Sequence, residues 1–91
     1  MTVRVCIPRV LRRMTGGKRA LEAEGTTLRE VLLDLARENP PLALHLFDEQ
    51  GGVRRHIVCI HSSTAIRPGE FAAHRVGPGD EVIITNALAG G

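Results

Sequence analysis

The sequence predicts an α+β domain in which one main helix packs across a mixed sheet of four to five strands. Three observations predict it. Apolar and polar residues alternate over 2–8, the period of a half-buried strand. Apolar residues recur at helical spacing over 27–38. Two apolar runs, 57–60 and 82–84, follow that helix. Strands, then a helix, then further strands make an α+β layer. A helical crossover lets the first and last strands lie parallel in the middle of the sheet.

In the first strand Val3, Val5 and Ile7 alternate with Arg4 and Cys6, and Pro8 ends it by removing a ladder donor. Residues 9–15 are basic and irregular, and Gly16-Gly17 marks a turn that can return the chain as a hairpin. Residues 18–24, with Leu21 and Ala23 between polar neighbours, form a weaker strand closed by Gly25. Thr27 with Glu30 three residues later is a capping box. Leu28, Val31, Leu32, Leu35 and Ala36 then form one apolar stripe of a helix. Asn39-Pro40-Pro41 stops it. Residues 42–47 hold another short helical turn, with Leu42, Leu46 and Phe47 plugging one end of the core.

Gly51-Gly52 turns the chain into a strand over 55–61, which Ser62-Ser63 breaks. Ile66-Arg67 is a very short edge strand, and 68–79 are irregular and rich in Pro and Gly. Residues 81–85 carry Val82, Ile83 and Ile84, apolar on both faces, as a central strand does. Alternation places Val3, Val5, Ile7, Val58, Ile60, Val82 and Ile84 against the helix. It places Arg4, Cys6, Ile57, Cys59, His61, Ile83 and Thr85 on the opposite face. Nothing in a single-domain chain covers that face, so Ile57, Cys59, His61, Ile83 and Thr85 are candidates for a partner-binding surface.

Composition narrows the function. A chain of 91 residues is one domain. Hydrophobic residues at 43% and charged residues at 24% are too apolar for disorder. The two aromatics, Phe47 and Phe71, cannot build a base-stacking platform. The net charge is only +2, and the run Arg4, Arg9, Arg12, Arg13, Lys18, Arg19 reads as a solvated face before an acidic or nucleic-acid partner site. No nucleic acid is expected as partner. Cys6 and Cys59 are too few for an iron–sulfur cluster or a disulfide framework.

The longest apolar run is Ile57 to Ile60, far short of a membrane span. Arg4, Pro8 and Arg9 interrupt any signal-like segment. The expectation is a soluble cytoplasmic protein, monomeric when free. His56 and His61 fall on opposite strand faces, and Cys59 with His61 is too few ligands for zinc, so no metal is expected. His45 and His74 have no evident base or nucleophile beside them, and no catalytic residue of the chain's own is expected.

The ending Ala87-Leu88-Ala89-Gly90-Gly91 follows directly on the central strand. Residues 1–86 then form the body and 87–91 a flexible diglycine tail. Glycine lacks Cβ, so such an arm enters a narrow active site where another residue would clash. A free carboxylate is a poor electrophile. Adenylation by ATP makes it a mixed anhydride that a sulfur donor can open, leaving a thiocarboxylate. The nucleotide site and Mg²⁺ belong to the partner, because the chain has no phosphate-binding glycine motif; no cofactor is expected to be bound here.

The element order, the Gly-Asp-Glu-Val-Ile-Ile run at 79–84 and the diglycine ending resemble the ubiquitin-like β-grasp sulfur carriers of the MoaD/ThiS superfamily. The opening Val-Cys-Ile-Pro-Arg-Val-Leu-Arg with Thr15-Gly16-Gly17 is most similar to the CysO-type carriers. The resemblance covers essentially the whole chain. It implies that Gly91 is adenylated and converted to thiocarboxylate, that Gly90 is its required neighbour, and that Ala87, Leu88 and Ala89 thread into the partner. It implies a ubiquitin-activating-like adenylating or sulfurtransferase enzyme as first partner. A PLP-dependent cysteine synthase would be the acceptor, and a zinc peptidase would release the product. The small subunit of a molybdopterin synthase and a ubiquitin-like protein modifier are the alternatives. Two positions depart from the pattern: His61-Ser62-Ser63-Thr64 stands where a Val-Asn-Gly-like turn is frequent, and Asn86 where Pro is common.

Overall fold

A computed structural model describes residues 2–86. Five strands form one sheet: β1 (Val3–Cys6), β2 (Ala20–Ala23), β3 (Ile57–His61), β4 (Thr64–Ile66) and β5 (Glu81–Asn86). Their order is β2-β1-β5-β3-β4. β1 and β2 are an antiparallel hairpin, β5 lies parallel to β1, and β3 is antiparallel to both β5 and β4. The last strand is therefore the middle one. Helix α1 (Leu28–Glu38) supplies the crossover that a parallel neighbour requires.

Helix α1 buries Leu28, Val31, Leu32, Leu35 and Ala36, the stripe its spacing predicts. Thr27 accepts from the Glu30 N–H at 3.2 Å. Glu30 reaches back one residue further than expected, accepting from the N–H and hydroxyl of Thr26 at 2.8 and 2.9 Å. The approach to the helix is tight at Gly25, where a Cβ would stand 2.7 Å from the Val31 nitrogen. Asn39 separates α1 from α2 (Pro40–Leu46), whose first residue is a proline, which needs no N–H there. Leu42, Leu46 and Phe47 are buried at the end of the core.

Two segments without a periodic pattern still take defined shapes. Residues Arg9–Thr15 form a 3-10 turn that buries Leu11 and ends on Gly16 at φ 69°. Thr15 is buried because its hydroxyl bridges the carbonyls of Arg12 and Lys18. The 68–79 segment opens with a 3-10 turn, Pro68–Glu70, and sends Phe71 and Val76 into the core. Its backbone is tied to the start of α1, where Leu28 and Arg29 donate to His74 and Phe71.

The β3–β4 turn holds Ser62 and Ser63 at φ 53° and 65°. Both values are left-handed, as a two-residue hairpin of type I′ requires, and serine has no special tolerance for them. The pair Ser62→Asn with Ser63→Gly is expected to stabilise the fold by about 1 kcal/mol, raising the melting temperature by roughly 4–8 °C. Thermal unfolding followed by circular dichroism checks it; an unchanged or lower midpoint would show that the turn is unstrained.

Candidate functional site

The site begins with the root of the last five residues. β5 pairs with β1 through Arg4↔Glu81, Val5↔Val82 and Cys6↔Ile83. It pairs with β3 from His61↔Val82 to Ile57↔Asn86. Val82 and Ile84 are buried beneath it. A strand bonded on both edges and anchored at alternate side chains opens only with the whole domain. Asn86, the last described residue, thus ends the most firmly held strand. Ala87, Leu88, Ala89, Gly90 and Gly91, with the expected body-tail boundary, lie outside the described residues.

The sheet face away from α1 is the second part. Val3, Val5, Ile7, Val82 and Ile84 are buried on the helix side, as their alternation predicts. β3 has the opposite phase to the expected one. Ile57 and Cys59 are buried in the core, at 1% and 0% exposure, while Val58 and Ile60 are only half-buried. Cross-strand partners share a face, and Cys59 stands opposite Ile84, Ile60 opposite Ile83. Because Ile84 faces the helix, Cys59 must too. Ile57 and Cys59 therefore leave the candidate surface, and His61, of the same phase, turns inward at the rim. Ile83, 39% exposed, and Thr85 do lie on the outer face. With Cys6, Val58, Ile60 and Ala65 they form its apolar middle. The Thr85 hydroxyl donates to the Val58 carbonyl at 3.0 Å.

Neither thiol is prepared for sulfur chemistry. Burial pushes Cys59 up to about 12, so its thiolate is scarce at neutral pH. Cys6 is also raised, first by partial burial and then by the neighbouring Glu81 carboxylate.

His61 has partners that sequence reasoning missed. His61 is hydrogen-bonded through Nε2 to Asp80 Oδ2 at 2.9 Å and through Nδ1 to His74 Nε2 at 2.8 Å. The three come from the end of β3, the 68–79 segment and the turn before β5, so no local spacing signals them. His74 and Asp80 lie on opposite sides of the His61 ring and do not converge. Among the described residues no group of His, Cys, Asp or Glu is arranged to hold a metal. The chain ties down the entry to β5. Asp80 also accepts from the Gly77 N–H at 2.8 Å. That bond, and then His61, hold its carboxyl below the ordinary carboxylate range. A lowered carboxyl stabilises the fold above its unfolded value, near 3.9, and loses that contribution as pH falls through the lower folded value. Asp80→Asn is thus expected to lower the urea midpoint at pH 6, with the gap to wild type closing by about pH 2. A gap that persists in acid would contradict it.

Comparison with known proteins gives a consistent picture. The ThiS family model matches residues 5–91. The sulfur carrier protein CysO of Mycobacterium tuberculosis is 33% identical over 93 residues, covering 100% of both chains. The crystal structure of M. tuberculosis CysO, described as an antigen, superposes with a TM-score of 0.81 at 31% identity, covering 94% of this chain and 99% of that one. The CysO of an Amycolatopsis orientalis BexX/CysO complex does so at 0.77 and 28%, covering 98% and 99%. The sheet with its crossing helix is the ubiquitin-like β-grasp fold.

Proposed function

The chain belongs to the ThiS family and is a CysO-like sulfur carrier protein, and we propose that its working group is the carboxylate of Gly91. A partner enzyme binds ATP and Mg²⁺. A carboxylate oxygen attacks the α-phosphate, forming the acyl-adenylate and releasing pyrophosphate. A sulfur nucleophile then attacks the acyl carbon and expels AMP, leaving a terminal thiocarboxylate. The carried sulfur passes to an activated acceptor in the making of cysteine or another sulfur metabolite. A PLP-dependent cysteine synthase fits the acceptor step. The thiocarboxylate sulfur displaces the acceptor's leaving group to give a thioester, an S-to-N acyl shift onto the product's own amine breaks the C–S bond and forms an amide, and a peptidase, such as a zinc enzyme, then hydrolyses that amide to release the product.

The observation that carries this reading is the placement of β5. The strand preceding Ala87-Leu88-Ala89-Gly90-Gly91 is central, bonded on both edges and anchored by the buried Val82 and Ile84. A fixed root lets a short tail deliver its end to a defined point in a partner, which lowers the entropy lost on docking. Both thiols are pushed up, by burial above all, and that favours the same attachment point. Assembly with a protein partner fits the Amycolatopsis complex. We assign the docking face to the outer sheet surface around Cys6, Val58, Ile60, Ile83 and Thr85. Apolar area left uncovered in a domain this small suits a partner interface.

Intact-protein mass spectrometry after incubation with the cognate adenylating enzyme, ATP and sulfide tests the proposal. The expected result is one oxygen replaced by sulfur, located by fragmentation at the C-terminus. No change, or sulfur found on Cys6 or Cys59, would overturn it. Isopeptide adducts on lysines of other proteins, without thiocarboxylate, would mark a protein modifier instead.

A further inference from the structure

The topology gathers positive charge around the point where β5 ends. β1 and β5 are parallel, so the segment after β1 lies at the sheet end where Asn86 leaves. That segment and its return into β2 carry Arg9, Arg12, Arg13, Lys18 and Arg19. The Ile7 N–H donates to the Arg19 carbonyl at 2.7 Å, and Arg12 Nε to the Ile7 carbonyl at 3.1 Å, pinning both arms of the loop to the strand end. β3 runs the other way and starts opposite Asn86, so Arg54 and Arg55, just before it, flank the exit from the other side. Arg54 is braced on α2, its Nε donating to the Leu44 carbonyl at 2.9 Å.

Acidic residues gather at the far end. Asp80 and Glu81 open β5, Glu22 stands opposite Arg4 on the neighbouring strand, and Glu24 and Glu30 flank the start of α1. Among the described residues, the ion pairs within 4.0 Å involve Arg4, Arg37 and His61, and none of the seven cations at the exit. Arg4, Arg29 and Arg75 stand among those carboxylates, whereas the seven cations at the exit form no ion pair among the described residues.

We infer that this basic collar docks against an acidic rim around the channel of the enzyme that activates the tail. The inference depends on the carrier reading. Five residues span at most roughly 17 Å. An enzyme that receives Gly91 in a channel of that depth must bring its surface against the collar. Charges interact appreciably within about 8 Å at physiological salt, so seven cations that form no ion pair among the described residues guide and orient the encounter. A nucleic acid is the poorer occupant: both aromatics, Phe47 and Phe71, are buried, leaving no ring for a base to stack on.

The test is steady-state thiocarboxylate formation with the adenylating enzyme, ATP and sulfide across about 50–500 mM NaCl. The KM for the carrier is expected to rise about tenfold over that range with kcat constant. Arg13→Glu with Arg55→Glu should raise KM about tenfold at low salt and flatten the salt dependence, again at constant kcat. Arg9→Glu with Lys18→Glu should do the same, should the first pair fail to fold. Arg75→Glu, beside the start of α1, should leave KM unchanged. Thiocarboxylate that forms with a salt-independent KM, or collar variants with wild-type KM, would overturn the inference. So would tight binding of a random-sequence DNA duplex that the collar variants lose while keeping their KM. A wild-type chain that never gains sulfur fails the carrier reading itself, and the collar's role falls with it.

Discussion

A chain lengthened by one residue beyond Gly91 is expected to lose thiocarboxylate formation by more than about 10²-fold while its melting temperature stays unchanged. The added residue moves the carboxylate on by about 3.5 Å, and a reacting group misplaced by 1 Å can cost roughly 10²-fold. Removal of Gly91 shortens the reach by the same amount and should do equal damage. Gly90→Val tests the width of the channel rather than its depth. A branched Cβ restricts χ1 and widens the arm, so the rate should fall although the carboxylate keeps its register. The core described over Val3–Ile84 is one continuous cluster, and stability should be unaffected. End-point mass spectrometry with initial rates checks all three variants. Full activity in the lengthened chain would remove Gly91 from the mechanism.

The second large effect is structural. Phe71→Ala is expected to remove a large share of the domain's stability. Phe71 is 1% exposed and lies in a segment without regular structure. Replacing a buried Phe by Ala costs about 3–5 kcal/mol, from lost transfer energy and the cavity left behind. A domain of this size holds only about 5–14 kcal/mol in total. The melting temperature should fall by on the order of 15–30 °C. Phe71→Leu fills most of the space and should cost less than about 1.5 kcal/mol. Urea unfolding of both variants checks the pair. Equal midpoints for alanine and wild type would mean that the 68–79 segment only drapes over the surface.

The segment around Phe71 also shows how far local pattern reaches. Proline and glycine punctuation over 68–79 predicts irregular chain, and the backbone is irregular apart from one 3-10 turn. Yet Phe71 and Val76 close the core above the start of α1, held by hydrogen bonds from Leu28 and Arg29. No period marks them, because a single anchor has no period. The 9–15 segment behaves alike: its basic residues hide a 3-10 turn whose Leu11 is buried. The Asp80–His61–His74 chain was equally unreadable, since three distant segments must fold before its members meet.

The candidate site divides in the same way. The diglycine ending and the central strand before it are local facts, visible in residue order. The outer face is not. Ile57-Val58-Cys59-Ile60 is apolar throughout, and a run without alternation carries no phase. Pairing with β5 set it, because Ile84 had already to face the helix. That choice moved Ile57 and Cys59 inside and brought Val58 and Ile60 to the surface.

By itself the sequence determined the α+β class, the capped amphipathic helix, the central position of the last strand and the small-residue ending. Each is written in spacing or in a terminal motif, although the last strand reaches its central place only by pairing with β1 and β3, far away in the chain. Only the tertiary structure decided which face of β3 is buried and which cations surround Asn86. Arg54 and Arg55 lie far along the chain from Arg9–Arg19, and strand pairing alone brings them to one end of the sheet. Charge acts through space, and which residues share that space is fixed by topology.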